Sequence, residues 1–293
     1  MRPLIMSYDA DTIFFEQLYT KIDAELGYFE HHIFPDGESY IRISSDCKQR
    51  DVIIVSNLHR PNAKILPLFF LCEALKEQGA QTIQLICPYL PYMRQDIQFR
   101  EGEAVTSRTF AKLMSQYFDA LVTIDPHLHR YKSLSEIYSL QSTVLHAHPA
   151  IAYWIKQNIN APLIIGPDSE SEQWAASVAG LVGCPYIILE KTRKGDKDVS
   201  VSPPHAHKYT SLRPVLIDDI ISTGRTMITT AQALKSEGFK AAVCIGVHGI
   251  FSETAYVDMK EAEIAEIITC NTIPHATNKI DITTLIAEHI NSA

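Results

Sequence analysis

The chain has 293 residues, of which 46% are hydrophobic, and its formal net charge is −8 at pH 7. This length is typical of about two domains, and the acidic balance argues against sequence-independent nucleic-acid binding, which requires a basic surface. The sequence has no run of about 18 apolar residues and no signal-peptide pattern, so neither a membrane span nor export is expected. Its six cysteines are far apart and form no CxxC pair, which favours buried free thiols in the cytoplasm.

The order of the segments predicts the fold class. Short apolar runs alternate with longer amphipathic ones, which is typical of an α/β fold with mostly parallel sheets flanked by helices. The nine predicted strands are Leu4–Ser7, Val52–Ser56, Thr82–Cys87, Leu121–Ile124, Leu163–Ile165, Tyr186–Leu189, Val215–Ile217, Ala242–Val247 and Glu266–Thr269.

Between the strands, two segments show the spacing of an amphipathic helix. Their apolar positions are Phe110, Leu113, Met114 and Tyr117 in the first, and Trp174, Val178 and Leu181, closed by Gly183, in the second. Pro67 interrupts a further helix pattern from Asn62, and the pattern leaves open whether it kinks that helix or marks a later start. A loop at His146–Pro149 has the weakest packing signal, so we predict domains at 1–147 and 148–293.

The first polar motif is Phe34-Pro35-Asp36-Gly37-Glu38, which lies between two apolar runs. Proline, aspartate and glycine together are typical of a turn, and the turn alone favours a hairpin loop. In a binding role, Phe34 would stack on a flat ring while Asp36 and Glu38 accept hydrogen bonds from exocyclic amines.

Two motifs follow predicted strands, at the edge where ligands bind in open α/β sheets. Arg94-Gln95-Asp96 comes after Thr82–Cys87, and its arginine is either a phosphate ligand or one half of a surface ion pair with Asp96. Asp125 and His127 come directly after Leu121–Ile124 and can face Mg²⁺ and nucleotide phosphates. Zinc is conceivable there, and direct contact between His127 and a phosphate is a further alternative.

A cation-rich segment at residues 190–198 contains Lys191, Arg193, Lys194 and Lys197 within seven residues. Its composition is typical either of a mobile lid that closes over phosphates or of a solvated basic loop. The segment Gly166–Ser171 is a strand-to-helix turn and a weaker candidate for an anion site, because it carries acids of its own.

The most informative segment is Val215–Met227, where an apolar run ends in Asp218 and Asp219 and is followed by Ser222-Thr223-Gly224-Arg225-Thr226. Small hydroxyl residues and glycine before a helix expose backbone N–H groups, and the positive end of the helix favours a bound anion. The two carboxylates can accept hydrogen bonds from sugar hydroxyls. A phosphate beside a diol indicates a phosphorylated ribose.

Taken together and in this order, these motifs resemble the ribose-phosphate pyrophosphokinase (phosphoribosyl pyrophosphate synthetase) family over nearly the whole chain. The resemblance implies two tandem type I phosphoribosyltransferase-like domains, with ATP and ribose 5-phosphate as substrates and Mg²⁺ as cofactor. It implies transfer of the diphosphoryl group of ATP to O1 of ribose 5-phosphate, which yields 5-phosphoribosyl 1-diphosphate and AMP. It also implies a homo-oligomer, either a dimer or a hexamer built from dimers.

The resemblance also implies a role for each matching residue. ATP would be bound by Phe34, Asp36, Glu38, Arg94, Gln95 and Asp96. Ribose 5-phosphate would be bound by Asp168, Asp218, Asp219, Ser222, Thr223, Gly224, Arg225 and Thr226. The metal would be held by Asp125, His127 and Asp168, and the catalytic residues would be Lys191, Arg193 and His127.

Some positions depart from the family pattern and indicate a divergent branch. Ser169, Glu170 and Ser171 stand where glycines are usual, Ser222 replaces a common aspartate, and Arg225 replaces a glycine. Two other functions remain open. A phosphoribosyltransferase would explain the phosphate turn but not the motifs at Phe34 and Arg94. A non-catalytic regulatory homologue would be expected to lose the lid cations, which are present.

Overall fold

The computed structural model describes residues 1–168, 171–189, 191–194, 198–201 and 206–292, with side chains outside 191–201 and 206–207. By their internal contacts the residues form two compact units. The first unit comprises Met1–Leu145 and the segment that starts at Thr283, and the second comprises His146–Ile282. The division into domains 1–147 and 148–293 stays a prediction about parts that fold independently.

The first unit is built on a six-stranded parallel sheet with spatial order β2-β1-β5-β6-β7-β8. Its strands are β1 (Leu4–Tyr8), β2 (Glu25–Leu26), β5 (Asp51–Ser56), β6 (Thr82–Ile86), β7 (Ala120–Ile124) and β8 (Gln141–Leu145). Its helices are α1 (Thr12–Tyr19), α2 (Asn62–Glu77), α3 (Thr106–Tyr117) and α8 (Thr283–Ser292). An antiparallel hairpin of β3 (Phe29–Ile33) and β4 (Ser39–Ile43) lies outside the sheet.

The second unit repeats this plan, with a parallel sheet of order β10-β9-β13-β14-β15-β16. Its strands are β9 (Pro162–Gly166), β10 (Tyr186–Ile188), β13 (Arg213–Ile221), β14 (Val243–Gly249), β15 (Glu266–Cys270) and β16 (Asn278–Ile280). Its helices are α4 (His148–Asn158), α5 (Glu172–Val182), α6 (Arg225–Ser236) and α7 (Ala255–Glu261). A two-stranded antiparallel ribbon consists of β11 (Lys191–Lys194) and β12 (Asp198–Val201).

Each sheet buries branched aliphatic residues because a parallel strand covered on both faces is hydrophobic throughout. Val52, Ile54 and Leu85 are fully buried in the first unit, as are Leu216 and Cys244 in the second. Because all strands of a sheet run in the same direction, the loops after them collect at one edge. The polar motifs that begin at Arg94, Asp125, Asp168 and Ser222 lie in these loops.

Helix α8 belongs to the first unit, where it packs against α1 and the segment after it. The ammonium of Lys21 donates hydrogen bonds to Thr283 Oγ1 at 2.6 Å and to Thr284 Oγ1 at 2.9 Å. The Asn291 side chain donates to the Lys21 carbonyl oxygen at 2.8 Å. These contacts join the first and last helices of the described chain.

All nine predicted strands are present, and the α/β class with mostly parallel sheets is confirmed. Five of the six cysteines are buried and all six are free, as expected. Helix α2 continues through Pro67 without a break from Asn62. Within the described residues, no helix is both long enough and apolar enough to cross a membrane.

Three local predictions were wrong. Leu113 is 38% exposed and Leu181 47%, because the buried faces of α3 and α5 are centred on other positions of the same helical period. His148, predicted in a boundary loop, is the first residue of α4, where its ring packs edge-on against Trp174 at 4.2 Å. Burial lowers the pKa of His148 to about 4, so the packed imidazole is neutral.

Candidate functional site

The predicted adenine-binding residues lie at the tip of the β3–β4 hairpin. The turn is closed by hydrogen bonds from Phe34 N–H to the Glu38 carbonyl oxygen at 2.7 Å and from Gly37 N–H to the Phe34 carbonyl oxygen at 2.9 Å. The Asp36 carboxylate accepts the Glu38 N–H at 3.2 Å. The Phe34 ring is 44% exposed and meets the edge of the His32 ring at 5.0 Å. The hairpin prediction is confirmed, and the tip presents an aromatic ring beside two carboxylates.

In the loop after β6, Arg94 is exposed, Gln95 is partly buried and Asp96 is buried. The Asp96 side chain is 1% exposed and forms an ion pair with Arg130, whereas a surface ion pair with Arg94 was one of the two alternatives from the sequence. The place of Asp96 at the ATP site, which the resemblance implied, stays a prediction.

The loop after β7 begins with Asp125, which is 3% exposed and has a left-handed φ of +36°. Its N–H donates to the Leu145 carbonyl oxygen at 3.0 Å, which fixes the start of the loop on β8. Strained conformations of this kind cost on the order of 1–3 kcal/mol and concentrate at functional sites. Further along, His127 Nδ1 and His129 Nε2 are 3.0 Å apart. This loop therefore presents a carboxylate and paired imidazoles at the binding edge of the sheet.

In the second unit, Asp168 follows β9 in a tight turn with Ser171. The Ser171 hydroxyl donates to the Asp168 carbonyl oxygen at 2.6 Å, and the Ser171 N–H donates to the Asp168 carboxylate at 3.2 Å. A Cβ on Gly166 would lie 2.5 Å from the Ser171 hydroxyl oxygen, so the strand needs glycine at this position. Ser171 thus orients Asp168, while Ser169 and Glu170 lie outside the described residues.

Asp218 and Asp219 lie within β13, so the prediction that the strand ends at Ile217 was wrong. Strand β14 is buried along its whole length and continues the ladder, pairing with β13 as far as Ile221. Burial raises the pKa of the Asp218 carboxyl group well above its ordinary value, and repulsion from Asp219 and Asp168 raises it further. Three carboxyl groups therefore lie close together, one directly after β9 and two within β13.

This raised pKa predicts how stability varies with pH. An aspartate whose pKa is raised on folding destabilises the folded state increasingly as the pH rises above its ordinary value of 3.8. Asp218→Asn is therefore expected to raise the free energy of unfolding at pH 7–8, and this gain should shrink towards pH 4. Urea unfolding of both proteins between pH 5 and 8, without metal or nucleotide, measures the difference.

The exposed Glu261→Gln controls for the loss of one negative charge in the same unit. Parallel stability profiles for the native protein and Asp218→Asn would contradict the raised pKa.

The turn from Ser222 to Gly224 joins β13 to α6, which begins at Arg225. Gly224 has a left-handed φ of +69°, and its Cα lies against Met259 of α7. The side chains of Thr223 and Arg225 are exposed, whereas Thr226 is partly buried. Backbone N–H groups at a helix start and nearby hydroxyl groups are the donors that a phosphate monoester needs.

A loop after β14 supports this turn, and the sequence did not indicate it. The N–H groups of Ile250 and Phe251 both donate to the Ile221 carbonyl oxygen at 3.0 Å, and the Ser252 N–H donates to the Ser222 carbonyl oxygen at 3.0 Å. Ser222 Oγ and Ser252 Oγ are 3.5 Å apart. The only available signal was the polar His248-Gly249 pair after an apolar run.

Lys191 and Arg193 occupy alternate positions of β11 in the ribbon, opposite Val201 and Val199 of β12. The rest of the predicted lid, Glu190 and residues 195–197, lies outside the described residues. The ribbon follows β10, which is the edge strand of the second sheet beside β9.

Comparisons with known proteins cover both units. A family model described as the N-terminal domain of ribose phosphate pyrophosphokinase matches residues 4–117, and one described as a phosphoribosyl transferase domain matches residues 133–283. The ribose-phosphate pyrophosphokinase of Sulfolobus acidocaldarius is 36% identical over 274 residues, which cover 91% of this chain and 92% of the relative. The ribose-phosphate pyrophosphokinase of Sulfurisphaera tokodaii is 31% identical over 281 residues, which cover 94% of this chain and 96% of the relative.

Among solved structures, phosphoribosylpyrophosphate synthetase from Mycobacterium smegmatis is similar to this chain, with a TM-score of 0.87 and 23% identity. The match covers 100% of this chain and 98% of that one. At this level of identity the similarity establishes the fold, which is the tandem arrangement expected from the motifs.

Proposed function

The chain belongs to the ribose-phosphate pyrophosphokinase family, and on that basis we propose that it transfers the diphosphoryl group of ATP to O1 of ribose 5-phosphate. The products are 5-phosphoribosyl 1-diphosphate and AMP, and the product sugar serves nucleotide biosynthesis. The observation that carries the proposal is a match of 36% identity that spans 91% of the chain. Arg94, Asp125, Asp168 and the turn Ser222–Gly224 also lie in loops that follow strands of the two sheets.

Ribose 5-phosphate binds to the second unit. Its phosphate accepts hydrogen bonds from the turn Ser222–Thr226, and Asp218, Asp219 and Asp168 hold the sugar hydroxyls. The left-handed Gly224, the start of α6 and the cluster of carboxyl groups support this assignment. A sugar hydroxyl can donate a hydrogen bond to a carboxyl oxygen whether the carboxyl group is protonated or ionised.

ATP binds to the loops of the first unit. The ring of Phe34 stacks on adenine while Asp36 and Glu38 accept hydrogen bonds from its amino group. Arg94 and Gln95 contact the nucleotide beyond the base. Phe34 and Arg94 are both exposed at the surface of this unit, which supports these roles.

Mg²⁺ is the proposed cofactor, and Asp125, His127 and Asp168 are the residues that would hold it. Carboxylate oxygens suit this hard cation, which also keeps water and phosphate oxygens as ligands. The buried and constrained backbone of Asp125 fits a residue that must present its carboxylate in one position. When bound, the metal neutralises phosphate charge.

In the reaction, O1 of ribose 5-phosphate forms a bond to the β-phosphorus of ATP and releases its proton to water. The bond from that phosphorus to the α,β-bridging oxygen breaks, and AMP leaves with this oxygen. Transfers of this type depend on alignment and charge neutralisation. The phosphate turn fixes the sugar, His127 contacts the phosphates, and Lys191 and Arg193 stabilise the charge that develops on the bridging oxygen.

Purified protein mixed with ATP, Mg²⁺ and ribose 5-phosphate is expected to form AMP and 5-phosphoribosyl 1-diphosphate in equal amounts. Phosphorus NMR measures both products in one sample. Pyrophosphate release that depends on an added nucleobase would instead indicate a phosphoribosyltransferase. If neither reaction forms product, the protein is a non-catalytic homologue.

The family resemblance also supports a homo-oligomer, a dimer or a hexamer built from dimers. Light scattering of the purified protein measures its mass in solution. A monomer at all concentrations would contradict this part of the proposal.

A further inference from the structure

Arg130 lies five residues after Asp125 in the loop after β7, and no motif of the sequence singled it out. Its Nη1 donates to Asp96 Oδ1 at 2.8 Å. The Arg130 side chain is 46% exposed, whereas that of Asp96 is 1% exposed. The ion pair therefore has one buried end and one end open to solvent.

Within the described residues, Arg130 is the only cation that pairs with Asp96. Its Oδ2 atom is buried, and none of the described residues forms a hydrogen bond with it. Burying a carboxylate is costly unless a cation compensates for it, so the structure keeps this acid at the expense of stability. A buried acid with a single cationic partner is suited to holding that cation in place.

The surrounding hydrogen bonds fix both loops. The Tyr131 hydroxyl donates to the Asp96 carbonyl oxygen at 3.1 Å and accepts a hydrogen bond from Arg108 Nε at 3.3 Å. The Ser107 N–H donates to the Gln95 carbonyl oxygen at 3.3 Å. The loop after β6, the start of α3 and the loop after β7 are thus joined around one ion pair.

The open end of Arg130 has unused binding capacity. A guanidinium carries five N–H donors, and Asp96 is its only hydrogen-bond acceptor within the described part of the chain. The Arg130 guanidinium carbon lies 5.3 Å from the centre of the Phe99 ring, which is itself 57% exposed. A planar cation held on one side by an acid and on another by an aromatic ring is organised to bind phosphate oxygens.

We propose that Arg130 is a further ATP-binding residue that contacts phosphate oxygens, and that Asp96 is the residue that positions it. The proposal rests on the proposed function, which puts ATP on the loops of this unit. It assigns Asp96 an indirect role through Arg130 in place of a direct contact with the nucleotide.

Calorimetric titration of the protein with ATP and Mg²⁺, without ribose 5-phosphate, tests the first part. Arg130→Gln is expected to raise the dissociation constant for ATP about 10- to 100-fold, since hydrogen bonds to charged groups contribute at this level. Arg130→Lys keeps the charge without the fork geometry and should have a smaller effect. Lys132→Gln removes an exposed cation two residues away and should leave ATP binding within about twofold of the native value.

Arg130→Gln also leaves the buried Asp96 carboxylate without its cation, so its folding is checked against the double variant Asp96→Asn/Arg130→Gln. That variant buries a neutral pair and should bind ATP as weakly as Arg130→Gln. Asp96→Asn alone should weaken ATP binding in the native background but not in the Arg130→Gln background. This lack of additivity identifies a positioning residue.

Steady-state kinetics separate this proposal from the proposed function. In Arg130→Gln the KM for ATP should rise while the KM for ribose 5-phosphate stays close to the native value. Unchanged ATP binding in a folded Arg130→Gln variant, or equal changes for both substrates, would overturn the role of Arg130. A native protein that forms no AMP, but whose ATP binding depends on Arg130, would overturn only the reaction.

Discussion

Replacing Lys191 or Arg193 by alanine is expected to lower turnover about 10²- to 10³-fold, because each residue stabilises charge that develops only as the bridging oxygen leaves. A loss of this size corresponds to roughly 3–4 kcal/mol of transition-state stabilisation. The KM for ribose 5-phosphate should change little, since the sugar is held by the separate turn Ser222–Thr226. Initial rates with varied ribose 5-phosphate measure both quantities.

Lys194 provides a matched control, since it has the same charge as Lys191 and is the last residue of the same strand, β11. Lys194→Ala should retain most of the native turnover. Native turnover in both Lys191→Ala and Arg193→Ala would remove the ribbon from the mechanism. A rise in the KM for ribose 5-phosphate with normal turnover would assign these residues to substrate binding instead.

The second large effect is expected at Gly224. Alanine there would hold a left-handed φ of +69°, and its Cβ would lie 2.7 Å from Met259 Cγ. Strain of the backbone and overpacking against α7 together should lower the free energy of unfolding by about 2–4 kcal/mol. The KM for ribose 5-phosphate should also rise, because relief of the clash moves the phosphate turn. Urea unfolding and initial-rate kinetics measure the two effects.

Gly238→Ala separates the two causes, because Gly238 also has a left-handed φ, +85°, but open space around its Cα. In Gly238→Ala the free energy of unfolding should fall only by the cost of the strained backbone, about 1–2 kcal/mol. The KM for ribose 5-phosphate should not change. The double variant Gly224→Ala/Met259→Ala removes the clash and should recover part of the substrate affinity. Equal losses in Gly224→Ala and Gly238→Ala would show that packing against α7 does not hold the turn.

The fold could be predicted from the sequence because the pattern that indicates each strand or helix lies within that segment. Each central strand is a short apolar run between amphipathic segments, and each was found within a few residues of its predicted position. The short strands β2 and β16 were missed because two or three residues carry too little pattern. The extension of β13 through Asp218 and Asp219 was missed because it depends on pairing with β14, which is distant in sequence.

The candidate site could be predicted from the sequence where the residues of one short motif determine its local structure. The hairpin tip at Phe34–Glu38 and the turn at Ser222–Thr226 contain the glycine and hydroxyl residues that their backbones require. The burial of Asp96 was not accessible, because its partner Arg130 lies 34 residues further along the chain. The loop at Ile250–Ser252 was missed for the same reason, since its role lies in hydrogen bonds to the phosphate turn.

The contacts between Lys21 and α8 have a consequence for biosynthesis. On the ribosome, residues 1–145 emerge first, but the helix that packs against α1 follows only after the whole second unit. At about 5–20 residues per second, the nascent first unit waits on the order of ten seconds for this partner. The side of α1 that contacts α8 is therefore open to chaperones throughout the synthesis of the second unit.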